Sequence, residues 1–196
     1  MEYKQPKRET DTILGIDLGI VKLATFSIID KQENILHQEC ISGKDLRFKR
    51  MRYRQKRKAK ARSSGSETTS LIKENRLCKE LNFKIANRII ALADKHNSLL
   101  VFEDLKYIRK NITNDNTLNN YEKNSWAFYQ LKEIIKHKAD LKGIPYQEVN
   151  PKDTSQICSV CGEKGFRKNQ NRFLCKELHL LNADYNASIN IAKRAI

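Results

Sequence analysis

The chain has 196 residues and a formal net charge of +15, from 38 Lys and Arg against 23 Asp and Glu. That length builds one domain, or one with a small appendage, and can bury a real core. With 39% apolar residues and no run near the roughly 20 that a spanning helix needs, it excludes an integral membrane protein, and membrane is not an expected partner.

The charge excess calls for a polyanionic partner, nucleic acid ahead of a membrane surface. The opening MEYKQPKRETDT is polar and holds no apolar signal region, so the expected location is cytoplasmic, nucleoid-associated in a prokaryote. In that compartment the five cysteines are reduced, and close Cys pairs read first as metal ligands.

In chain order, residues 12–18, 21–30 and 34–41 read as three strands joined by short polar turns, a meander. Residues 44–62, KDLRFKRMRYRQKRKAKAR, hold eleven Lys and Arg with one Asp and no Gly or Pro, a basic helix. The SSGS of 63–66 breaks it, and a helix over about 68–97 follows, its Leu71, Leu77, Leu81, Ile85, Ile89 and Leu92 forming one buried stripe. Together they make a basic helical hairpin, 44–97, inserted after the third strand. The run SLLVFEDL, 98–105, reads as a buried parallel strand beside the first, because it follows helices. The Asn-rich 108–120 reads as a surface loop or lid. A helix through Trp126, Leu131, Ile134, Ile135 and Leu141, a short strand in 143–151, a Cys cluster in 157–179 and a closing helix over 183–196 complete the chain. The fold class is α/β, a mixed sheet flanked by helices.

The first strand, ILGIDLGI, carries Asp17 among apolar residues; Glu103 and Asp104 close the fourth strand, and Asp184 opens the last helix. If strands one and four are neighbours, Asp17 and Glu103 approach each other. Asp184 shares a helix face with Ala187, Ser188 and Ile191, whose small members let that helix lie close to the sheet. Three converging acids repel, by about 1 kcal/mol per pair at 4 Å in water and more in a lower dielectric. Two Mg²⁺ or Mn²⁺ ions, hard cations that prefer carboxylate oxygens, remove the repulsion and support phosphodiester hydrolysis. The alternative for each residue alone is structural: a strand end, a cap and a first-turn helix acid.

In the basic helix Arg47, Lys49, Arg50, Arg52, Arg54, Lys56, Arg57, Lys58, Lys60 and Arg62, interleaved with Phe48 and Tyr53, suit contact with a nucleic-acid backbone. A merely solvated basic face is the alternative. Cys158 and Cys161 form a C-x-x-C turn with Cys175 thirteen residues beyond.

The blocks GIDLGI, FEDL, NPKDTSQICSVCG and NADYNASINI, in this order, resemble the signature blocks of TnpB-type (OrfB) proteins of insertion sequences, relatives of the type V CRISPR effector nucleases. The resemblance runs from about residue 12 to the C-terminus. It implies an RNase H-like (RuvC-like) nuclease domain, 1–156 and 180–196, with a zinc ribbon inserted at 157–179. It places Asp17, Glu103 and Asp184 on the family's three catalytic, Mg²⁺-binding acids, and it implies DNA cleavage guided by RNA. The family carries a fourth Cys where Leu178 stands here. His179 is the replacement expected, giving C-x₂-C-x₁₃-C-x₃-H and a Cys₃His site for structural Zn²⁺; a ribbon that no longer holds metal is the alternative. Asp153 stands where the family has an aromatic residue. Family members also carry a large N-terminal part that binds the guide, so the expectation is a fragment, a split half with a separate N-terminal recognition polypeptide as partner, or a minimal nuclease. The competing readings are a catalytically silent nucleic-acid-binding transposon remnant or regulator, and a structure-selective resolvase.

Overall fold

The computed structural model describes residues 8–19, 21–62, 68–104, 128–169 and 171–196. The candidate lid of 108–120 and the SSGS turn lie outside them.

Strands β1 (Thr12–Leu18), β2 (Lys22–Asp30) and β3 (Ile35–Ser42) form an antiparallel meander. Helices α1 (Lys44–Arg62) and α2 (Thr68–Lys95) follow, then β4 (Ser98–Glu103), which pairs parallel with β1 from Thr12↔Ser98 to Ile16↔Phe102. Helix α3 (Phe128–Leu141) returns the chain to β5 (Tyr146–Val149), parallel to β4. The sheet order is β3-β2-β1-β4-β5, so the strand placed beside β1 by sequence is its neighbour.

The central strands β1, β2 and β4 are buried on both faces because each face meets helices, whereas the edge strand β3 is half-buried to exposed. On one face Leu14, Ile16, Phe26, Ile28, Leu100 and Phe102 pack with Ile85, Ile89 and Leu92 of α2 and Leu131 and Ile135 of α3. Ile85, Ile89 and Leu92 bear out the stripe read from spacing, and Leu77 and Leu81 join it half-buried; Trp126 and the side chain of Leu71 lie outside the described residues, and Leu141 is exposed. On the other face Ile13, Ile29, Val101 and Val149 meet Ile191 and Ala192 of the last helix, α4 (Ala183–Lys193).

The Cys cluster holds more structure than spacing suggested. Strands β6 (Gly165–Asn169), β7 (Arg172–Cys175) and β8 (Leu180–Asn182) form a second antiparallel sheet around its own small core of Cys158, Phe173, Cys175 and Ala183. β8 runs straight into α4, whose N-terminus Asn182 caps by accepting from the backbone N–H of Asp184 and Tyr185, at 3.0 and 3.2 Å. The small sheet is thus continuous with the helix that bears Asp184.

Candidate functional site

Asp17 lies one step beyond the last β1–β4 pair, Ile16↔Phe102, and so does Glu103. Parallel neighbours are about 4.8 Å apart, which sets the two acids side by side. By the alternation of a strand, Asp17 faces the same side as Gly15, the side covered by α4. Gly15 is there for space: a Cβ on it would stand 2.1 Å from the Ser188 carbonyl oxygen and 2.6 Å from the Ala192 nitrogen. On β2, Ser27 bonds Ser188 through their hydroxyls at 2.7 Å. This close approach brings the first turn of α4, with Asp184, to the end of β1.

The electrostatics register the convergence. Burial first, then the charges of Glu103 and Asp184, push the Asp17 carboxyl from 3.8 up to about 7, and only Arg167 opposes them. Burial also raises Glu103, against the hydrogen bond it accepts from the Thr154 hydroxyl and the nearby charge of Arg194. Arg167, on β6, donates from Nη1 to Asp184 Oδ1 at 3.3 Å. Sequence reasoning missed Arg167 and Thr154. The first is one arginine among 38 Lys and Arg, and the second acts only through a loop folded back on β4.

A carboxylate pushed toward neutrality by burial first and by two other acids next is relieved by a proton or by a cation. Asp17, Glu103 and Asp184 are close enough for the charges of the other two to act on Asp17, but among the described residues the one group whose ligand atoms are drawn together tightly enough to hold an ion is the Cys/His cluster.

The second cluster is Cys158, Cys161, Cys175 and His179, whose ligand atoms all lie within 4.8 Å of one another. His179 Nδ1 stands 3.5 Å from Cys175 Sγ and 3.7 Å from Cys158 Sγ, and Cys161 and Cys175 sulfurs are 3.7 Å apart. Leu178 is 78% exposed at a φ of 61°. It takes the left-handed position of the turn, and that turn carries His179 inward. Burial raises the Cys158 thiol, but hydrogen bonds from the backbone of Cys161 and Val160 and from Cys161 and His179 side chains outweigh it and bring it to about 7. Donor set and compactness fit a tetrahedral thiolate-imidazole metal centre such as zinc's.

The basic helix divides. Lys49, Arg52, Lys56, Lys58 and Lys60 are exposed, as is Arg47, and Arg54 is half-buried. Arg50 and Arg57 correct the reading that all ten basic residues face a ligand. Arg50 is 5% exposed, its Nε 3.0 Å from Glu74 Oε1, and Arg57 Nη1 lies 2.5 Å from Glu74 Oε2. These two arginines fasten α1 to α2. The side chain of Arg62 lies outside the described residues. Phe48 is exposed, with the Arg52 guanidinium 5.9 Å from its ring centroid. His37 lies 3.3 Å from Glu39 and stacks at 6.3 Å on His96.

Comparison with known proteins adds the lineage. Residues 128–191 match the family model described as the Cas12f1-like TNB domain. The CRISPR-associated endodeoxyribonuclease Cas12f2 of a Micrarchaeota archaeon is 29% identical over 209 residues, covering 98% of this chain. A TnpB-like protein of Methanocaldococcus jannaschii is 27% identical over 192 residues, covering 93% of the chain. The chain is a relative of TnpB-like and Cas12f proteins. It spans 38% of the length of that Cas12f2 and 69% of that TnpB-like protein. The cryo-EM structure of a Cas12f1–sgRNA–target DNA complex superposes with a TM-score of 0.78 at 24% identity, over 98% of this chain and 52% of that one. The mixed sheet and its helices are therefore a Cas12-type fold. Among the described residues no helix is long and apolar enough to cross a membrane.

Proposed function

We propose that this TnpB/Cas12f relative is a RuvC-like, divalent-cation-dependent DNA endonuclease whose catalytic acids are Asp17, Glu103 and Asp184. The observation that supports it most is geometric: Asp17 and Glu103 follow the last pair of two parallel neighbouring strands, on an α/β sheet against which the helix bearing Asp184 packs, and the charges of both other acids reach Asp17.

Two Mg²⁺ or Mn²⁺ ions, when bound, would supply activation of water and stabilisation of the leaving oxygen of a phosphodiester. The chain's own part is to hold the ligands still: Asp17 and Glu103 on paired strands, Asp184 on a capped helix turn. Arg167 pairs with the Asp184 carboxylate and would steady it. The Cys₃His centre would hold structural Zn²⁺ and so order the sheet that carries Arg167. The exposed Lys49, Arg52, Lys56 and Lys58 suit the backbone of a nucleic acid, DNA or its duplex with a guide RNA. RNA guidance is proposed from the relatives, and a separate N-terminal recognition polypeptide remains the expected partner if guidance needs more chain.

The test is cleavage of single-stranded DNA by the purified chain with Mg²⁺, beside Asp17→Ala. We expect cleavage by the wild type alone. Binding without cleavage under any divalent cation would leave a silent nucleic-acid-binding module, and equal cleavage by both proteins would remove this site. Preferential cutting of branched junctions would point to a resolvase.

A further inference from the structure

The segment between β5 and the Cys cluster, 150–157, is fastened to the last helix by side chains that serve no core. Asn190 donates to the carbonyls of Thr154 and Ile157 at 2.8 and 2.7 Å, and Asn186 donates to Ile157 O at 2.7 Å while accepting from Ser159 N–H at 2.8 Å. Arg194 donates to the carbonyls of Asn150 and Lys152. The segment turns sharply, with Asp153 at a φ of 64°. At its centre Thr154 is 2% exposed, and its hydroxyl reaches Glu103 Oε1, with Pro151 O at 3.1 Å as the other acceptor in range. One hydroxyl has one proton, and a charged carboxylate is the stronger acceptor.

Resting on the cation-site reading above, we infer that Thr154 is a positioning residue for Glu103: its hydroxyl occupies one carboxylate oxygen, fixes the plane of the group and leaves the other oxygen to a divalent cation. Carboxylates that bind metal are themselves commonly held by such outer hydrogen bonds, whose loss costs about 10–100-fold in metal affinity or activity. Asn190 sets Thr154, and Asn190 rides on α4 with Asp184. One helix thus places one acid directly and orients another through two hydrogen bonds, so the two cannot drift apart independently.

The experiment titrates the purified full chain with Mn²⁺ alone and follows free Mn²⁺ by electron paramagnetic resonance, for wild type, Thr154→Val, Thr154→Ser and Asp17→Ala. Thr154→Val keeps the branched shape and removes the donor; we expect Mn²⁺ affinity to fall about 10–100-fold. Thr154→Ser keeps the donor and is expected to bind like wild type. Circular dichroism checks folding, and Thr154→Ala replaces the Val variant should that not fold. A Val variant that binds Mn²⁺ as wild type does, while Asp17→Ala has lost it, overturns the role of Thr154 and leaves the cation site standing. Undiminished binding by Asp17→Ala overturns the cation site and this inference with it. Equal weakening in the Ser and Val variants assigns Thr154 to packing and refutes orientation by the hydroxyl.

Discussion

Gly15→Ala is the smallest change that separates the sheet from its last helix. The added Cβ would lie 2.1 Å from the Ser188 carbonyl oxygen, 2.6 Å from the Ala192 nitrogen and 2.8 Å from the Ala192 Cβ. All three belong to α4, and two are backbone, so no rotamer relieves them. Ordinary contact begins near 3.4 Å, so strand and helix must part by about 1.3 Å at this point. Overpacking of this kind costs about 1–3 kcal/mol. The same movement carries Asp184 away from Asp17, and a displacement of about 1 Å in a reacting geometry can cost on the order of 10²-fold in rate. Urea denaturation should therefore show a loss of about 1–3 kcal/mol, and Mn²⁺ affinity should fall together with Mg²⁺-dependent cleavage. A variant with the wild-type urea midpoint and wild-type cation affinity would refute the claim that Gly15 sets the depth of the helix.

Asp17 makes stability depend on pH in a direction opposite to that of a salt-bridged acid. Its folded value, about 7, lies above the unfolded 3.8, so between these pH values the folded state holds a proton the unfolded one lacks. Without divalent cations the wild type should lose stability as pH rises through that window, by at most about 4 kcal/mol at about 1.4 kcal/mol per pH unit; Asp17→Asn should escape the loss, and Mg²⁺ should reverse it in the wild type. Glu74→Ala leaves the buried side chain of Arg50 without its Glu74 carboxylate and should cost about 3–5 kcal/mol in urea unfolding; a cost below about 1 kcal/mol would show that α1 is held by other contacts. His179→Ala should abolish bound zinc in native mass spectrometry and the hydrogen-exchange protection of β6–β8, with the β1 amides still protected. Leu178→Cys should leave the metal content unchanged, because position 178 points to solvent.

The central sheet was legible because its strands carry their burial in their composition. β1 and β4 are apolar runs, and the helical stripe between them forces a parallel return, which puts Glu103 beside Asp17. The resemblance called for a fourth ligand where Leu178 stands, and His179, the neighbouring position expected to replace it, lies with the three cysteines. Other features had no local signal. GFRKN, which forms β6, is polar and mostly exposed, so nothing in its pattern separates a strand from a loop. Helix α1 carries charge on every side, so no periodicity tells which arginines turn inward. Arg50 and Arg57 are distinguished only by a carboxylate 24 and 17 positions away on another helix. Thr154 and Arg167 acquire their contacts from tertiary placement, 51 and 17 positions from their partners.

The placement of these acids explains the small residues around them. Like charges brought together in a half-buried site destabilise the bare fold, and the cost is contained only if the elements that carry them cannot relax apart. Gly15 lets α4 sink onto the sheet, Ser188 bonds to Ser27 at that contact, and Asn186 and Asn190 tie the same helix to the segment that orients Glu103. Apolar packing alone would leave α4 free to slide along a smooth face, since dispersion contacts have little directional preference. The directional bonds fix its register. If the proposed cation site is right, the register that brings Glu103 and Asp184 against Asp17 in the bare fold is also the register in which the three would share an ion.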